Sequence, residues 1–168
     1  GICSICGAKQ SRDNGSKLTA TMKLNVTSIK LQKKQATTKV KVTGLANGDS
    51  VKSWTSSNKK IVTVDKNGKI KAGKKTGSAK ITITLKSGKK ATLKVKVQSA
   101  KVKTTKITGL KTKLTLKKGK SLTLKPVISP ITSQEKVTYT TSNKKVATVT
   151  KKGVIKAKKK GTVTITVK

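Results

Sequence analysis

The chain has 168 residues, of which 42 are basic and 4 acidic, for a formal charge of +38. Histidine is absent and Arg12 is the only arginine, so imidazole-based catalysis and metal binding are excluded and the charge is almost wholly lysine. No apolar run approaches the ~20 residues needed to span a bilayer, and a folded chain this basic relies on counterions or an anionic partner.

Residues 1–22 hold Cys3-Ser4-Ile5-Cys6-Gly7 and are expected to form a flexible N-terminal segment. Beyond them apolar and polar residues alternate at period two, as in Lys39-Val40-Lys41-Val42 and Leu93-Lys94-Val95-Lys96-Val97. That spacing buries one face of a strand and wets the other. It predicts strands near 24–31, 37–43, 51–56, 61–65, 69–72, 78–85 and 90–97, within a domain spanning 23–98. Ala46-Asn47-Gly48-Asp49, Lys66-Asn67-Gly68 and Lys118-Gly119 read as turns. The polar stretch 99–106 reads as a linker. A second domain, 107–168, follows with strands near 107–116, 121–127, 136–141, 145–150, 153–157 and 161–167. High charge with few aromatics is the signature of a disordered polycation. The alternation, rich in valine, isoleucine and threonine, argues instead for a folded all-β protein.

Ser53-Trp54-Thr55-Ser56-Ser57-Asn58 and Ile61-Val62-Thr63-Val64 return eighty-five positions later as Thr138-Tyr139-Thr140-Thr141-Ser142-Asn143 and Val146-Ala147-Thr148-Val149. Gly68 then matches Gly153 and, after a one-residue slip, Gly77 matches Gly161. A repeat at this spacing means two copies of one small domain. Strand lengths and turn spacing suggest a sandwich of two antiparallel sheets for each. The second copy has no counterpart to Ala91–Val97, so it is expected to be shortened by one C-terminal strand: either the chain was cut there, or the domain lives with an open edge.

The repeated segment, with Asn67-Gly68-Lys69-Ile70 and Gly77-Ser78-Ala79-Lys80-Ile81-Thr82-Ile83, resembles the bacterial Ig-like domain, group 2, over about residues 24–168. The resemblance implies two tandem immunoglobulin-like antiparallel β-sandwich domains. It also implies a bacterial cell-surface or secreted protein, in which such modules serve as spacers or adhesins. The high lysine content departs from the family.

Little in the chain suggests catalysis, and neither an enzyme activity nor a cofactor is expected. Asp13, Asp49, Asp65 and Glu135 are scattered, too few and too far apart in sequence for a calcium cage. Cys3 and Cys6 could be a terminal remnant, a local disulfide or half of a shared metal site, which would need ligands from elsewhere. Trp54 and Tyr139 sit in alternating strands and are expected in the core of each sandwich. A lysine–asparagine cross-link would need a buried acid, for which Asp65 and Glu135 are the candidates.

The lysines are the remaining candidates. Singles such as Lys39, Lys41, Lys94 and Lys96 read as a solvated sheet face. Doublets and a triplet fall at turns, and Lys59, Lys60, Lys74, Lys75, Lys144, Lys145, Lys158, Lys159 and Lys160 are the candidate polyanion-binding residues. Lysine without arginine or aromatics is poorly suited to reading bases or stacking on single strands. The expected partners are therefore anionic cell-wall polymers or host glycans, with no specific nucleic acid and no membrane span. A purely structural stalk and a non-specific nucleic-acid-binding protein stay as alternatives.

Overall fold

The computed structural model describes residues 19–168, and all regular structure among them is β. The chain divides into two units between Ser99 and Ala100. The first holds β1 (Lys23–Leu24), β2 (Ser28–Gln32), β3 (Ala36–Thr37), β4 (Val42–Thr43), β5 (Val51–Ser56), β6 (Val62–Val64), β7 (Ile70–Ala72), β8 (Gly77–Leu85) and β9 (Lys90–Gln98). The second holds β10 (Lys106–Thr108), β11 (Ser121–Thr123), β12 (Val127–Ser129), β13 (Tyr139–Thr141), β14 (Ala147–Val149), β15 (Val154–Ala157) and β16 (Ile165–Val167).

In the first unit a four-stranded sheet runs in the order β2-β9-β8-β5, a three-stranded sheet in the order β3-β7-β6, and β1 pairs with β4. Pairing is antiparallel except between β2 and β9, which run parallel. Period two is cleanest in β8 and β9. There Ala79, Ile81, Ile83, Leu85, Leu93, Val95 and Val97 turn inward and are buried, while Ser78, Lys80, Lys94 and Lys96 face out. Leu31, Val62 and Ile70 close the core from the other strands. At ~25 cal/mol per Å2 of apolar area, each buried valine, leucine or isoleucine among these contributes about 1.5–3 kcal/mol before entropy is subtracted.

Two expected strands break where the chain changes sheet. The 24–31 segment divides into β1, which pairs with β4, and β2, which pairs with β9; the 37–43 segment divides into β3 and β4. Asn25 bridges one break: its Oδ1 accepts from the Lys41 N–H at 2.8 Å and its Nδ2 donates to the Lys39 carbonyl at 2.8 Å. A side-chain amide thus replaces a ladder bond where the strand bends away.

The second unit repeats this plan with less. β10 pairs with β12, β13 with β16, and β11-β15-β14 form a three-stranded sheet. Among the described residues no strand pairs with the far edge of β16, the position β9 holds against β8 in the first unit. The counterpart of β2, residues 113–117, is not a strand, and among the described residues nothing takes the place of β9, against which β2 pairs. The consequence is graded exposure. Ile81 is 0% exposed but its counterpart Ile165 is half-buried, and Ile29 is 4% exposed where Leu114 is 41%.

The stretch 99–106, expected as a linker, is tied into the second unit from Val102 onward. Val102 is buried, its N–H donates to Gln134 Oε1 at 2.9 Å, and its carbonyl accepts from the Gln134 N–H. Cys3, Cys6 and Asp13 lie outside the described residues.

Candidate polyanion-binding surface

The lysine turns are shaped by short hydrogen-bonded devices that recur in both units. In the first, the Ser56 hydroxyl donates to the Val62 carbonyl at 2.7 Å and accepts from the Asn58 N–H at 3.2 Å. Asn58 Oδ1 then accepts from the Lys60 N–H at 3.0 Å. An asparagine closing the turn on the backbone two residues ahead leaves the intervening side chains pointing out. In the second unit Thr141 and Asn143 repeat it: Thr141 Oγ1 donates to the Ala147 carbonyl at 3.0 Å and Asn143 Oδ1 accepts from the Lys145 N–H at 2.9 Å.

These turns converge within each unit. The Gly73 N–H donates to the Ile61 carbonyl at 2.7 Å, and a Cβ at Gly73 would sit 2.6 Å from the Lys60 carbonyl oxygen. Glycine is therefore what lets the 58–61 and 73–76 turns touch, bringing Lys59 and Lys60 beside Lys74 and Lys75. The Lys34 N–H donates to the Gly73 carbonyl at 3.0 Å, which adds Lys33 and Lys34 to the same end. In the second unit the Lys158 and Lys159 N–H groups both donate to the Val146 carbonyl, at 2.8 and 3.2 Å. Lys144 and Lys145 thereby meet Lys158, Lys159 and Lys160. The Gly119 N–H donates to the Ala157 carbonyl at 2.8 Å and draws in Lys117 and Lys118. All nine lysines expected from the sequence are exposed, and each set gathers at one end of its own unit. Lys33, Lys34, Lys117 and Lys118 were visible as doublets, but only long-range pairing places them in the clusters.

The carboxylates are engaged elsewhere. Asp49 Oδ2 accepts from the Ser87 hydroxyl at 2.6 Å, and that bond, with backbone N–H groups of Ser87 and Ser50 and the charge of Lys86, holds its carboxyl below the ordinary range. The Thr104 N–H, donating to Glu135 Oε2 at 2.7 Å, does the same for Glu135. Asp65 Oδ1 accepts from the Asn67 and Lys69 N–H groups at 2.8 and 2.9 Å and shapes a turn. None of these side chains bonds to the lysine turns. Asp65 and Glu135 are exposed, so neither is the buried acid a lysine–asparagine cross-link requires. Among the described residues no three of His, Cys, Asp and Glu come together as a metal site.

The aromatics differ from expectation in depth. Trp54 and Tyr139 are half-buried, each lying over a turn glycine rather than at the centre of a core. A Cβ at Gly68 would lie 2.6 Å from Trp54 Cζ2, and one at Gly153 2.8 Å from Tyr139 Cζ. In the first unit the aliphatic side chains of β8 and β9 are buried deeper than the ring, and in the second Ala147, Ile155 and Ala157 are.

The family comparison agrees with two tandem domains. The bacterial Ig-like domain (group 2) family matches residues 21–95 and again 101–168. A kappa-carrageenase from Pseudoalteromonas carrageenovora is 56% identical over 57 residues, which is 33% of this chain and 14% of that protein. Among solved structures, the EC1-2 fragment of human protocadherin-24 aligns over 82% of this chain and 77% of its own with a TM-score of 0.36 and 15% identity. The chain belongs to the bacterial Ig-like domain (group 2) family, with two tandem copies.

Proposed function

We propose that this member of the bacterial Ig-like group 2 family is an extracellular, non-catalytic tandem module. It acts as a spacer or adhesin whose lysines draw it to anionic cell-wall polymers or host glycans. The observation that carries the proposal is the gathering of lysine turns at one end of each domain, with every described side-chain carboxylate bonded elsewhere. Solubility alone asks for a net charge of only about 2–8, far below the +38 of this chain. Lysine ammonium groups are compact point charges suited to diffuse attraction, whereas bidentate recognition favours arginine. The family is one of non-catalytic domains, and the short match to a kappa-carrageenase supports a module carried within a larger protein.

Retention on immobilised heparin, bacterial wall material, a neutral polysaccharide and duplex DNA, at low and moderate salt, tests the proposal. Retention on the first two that moderate salt abolishes is the expected result. Retention unchanged at high salt refutes an electrostatic partner, and none at low salt leaves only the structural stalk. DNA bound far more tightly than a charge-matched polysaccharide assigns the surface to nucleic acid.

A further inference from the structure

The strand lysines, taken one at a time, read as a solvated face. Their register says otherwise. β9 lies between β2 and β8, and its outward residues line up with theirs in two rows. Lys96 has Lys30 on one side and Ser78 on the other; Lys94 has Ser28 on one side and Lys80 on the other. Six neighbouring outward positions thus hold four ammonium groups and two hydroxyls. With strands ~4.8 Å apart and alternate residues ~6.8 Å apart, all six Cβ atoms fall within about 10 by 7 Å. These residues line a shallow hollow of about 480 Å3 that no acidic and no aromatic residue borders. Ser57 stands at its rim, tied to β8 by two bonds with Lys80: its N–H donates to the Lys80 carbonyl and its Oγ accepts from the Lys80 N–H, both at 2.9 Å.

We propose that this face of the first domain is a docking site for a linear acidic polysaccharide, its sulfate or carboxylate groups held by Lys30, Lys80, Lys94 and Lys96. Like charges directly opposite one another weaken a sheet, so the fold gains nothing from the arrangement. At the equivalent sequence positions the second domain, which does not form this sheet face, carries Thr115 and Thr164 in place of Lys30 and Lys80. An anionic chain lying across the rows neutralises neighbours that otherwise repel. The hollow is shallow and opens along the rows, which suits a segment of an extended polymer. With no ring to stack a base, charge complementarity favours a polysaccharide over single-stranded nucleic acid.

The proposal rests on the polyanion reading above and adds a location to it. The experiment compares K30T/K80T/K94T/K96T with K52T/K66T/K86T/K89T, which removes the same charge from exposed positions of the first domain outside the hollow and the lysine turns. Heparin, dextran sulfate, neutral dextran and a DNA of matched charge are the probes, and Trp54 fluorescence reports folding. At about 50 mM salt the face variant should bind both sulfated polymers at least about tenfold more weakly than the parent, and the matched control less than about threefold more weakly. Equal losses would overturn the site while leaving the polyanion reading intact; no binding by the parent chain would overturn both. DNA bound as tightly as the sulfated polymers, with the same loss in the face variant, would overturn the polysaccharide assignment. A readout independent of any variant is acetylation of the parent chain. Heparin should protect Lys30, Lys80, Lys94 and Lys96 several-fold over Lys52 and Lys66, and uniform protection would contradict the proposal.

Discussion

Replacing Gly68 with alanine separates two costs that the structure assigns to one position. The residue has φ +81°, and the new Cβ would lie 2.6 Å from Trp54 Cζ2 and 2.9 Å from Cε2. An L-residue held in the left-handed region costs roughly 1–2 kcal/mol. Displacing a packed ring by the several tenths of an ångström needed adds roughly 1–3 kcal/mol. G48A is the control, because Gly48 has φ +79° and nothing within 4 Å of its Cβ, so it meets the backbone cost alone. G68A should therefore destabilise the first domain by about 2–5 kcal/mol and G48A by about 1–2 kcal/mol. In a domain of this size each kcal/mol lowers Tm by about 4–8 °C. Trp54 is the sole tryptophan, so its fluorescence follows the first domain without interference from the second. Equal shifts for the two variants would refute the reading that the ring rests on this glycine.

The asymmetry between the domains gives a second test. L31A, at a position 0% exposed, should cost about 2–5 kcal/mol, and L116A, its half-buried counterpart, less than about 1.5 kcal/mol, measured by urea denaturation. Similar costs would show that the second core closes as tightly as the first. N58A removes the acceptor of the Lys60 N–H and should lower stability by about 1 kcal/mol in urea denaturation, and an unchanged midpoint would show that this bond does not hold the turn. Acid titration follows the sign of the two carboxylate shifts. Asp49 and Glu135 have folded pKa values below their unfolded ones, so the stability they contribute is complete above the ordinary carboxylate range. It is lost as pH falls through the folded values. Thermal melts of D49N should show a shallower acid decline than the parent, and an identical decline would show that the Ser87 bond is not felt.

Strands, turns and the repeat were legible because they are local: period-two alternation, glycines between runs, and one motif written twice. The breaks at residues 25–27 and 38–41 were not legible. Alternation reports that a residue is extended, not which sheet it joins, and the Asn25 amide that covers one break acts on residues fourteen or more positions away. The lysine clusters divide in the same way. Each doublet could be read in isolation, but the contact of the 58–61 turn with Gly73 depends on chain folding back between β6 and β8. Lys30, Lys80, Lys94 and Lys96 are spread over 67 positions and become neighbours only through the parallel β2–β9 and antiparallel β8–β9 registers. The depth of Trp54 was hidden because a strand position fixes the face a ring occupies and not its distance from the rim.

The salt dependence of binding to a single sulfated polymer tests the charge-driven reading most directly. Titrating the intact chain with heparin between about 50 and 200 mM salt should give a straight line of log K against log salt, with a loss of at least about a hundredfold across the range. Affinity that stays constant across that range would contradict it.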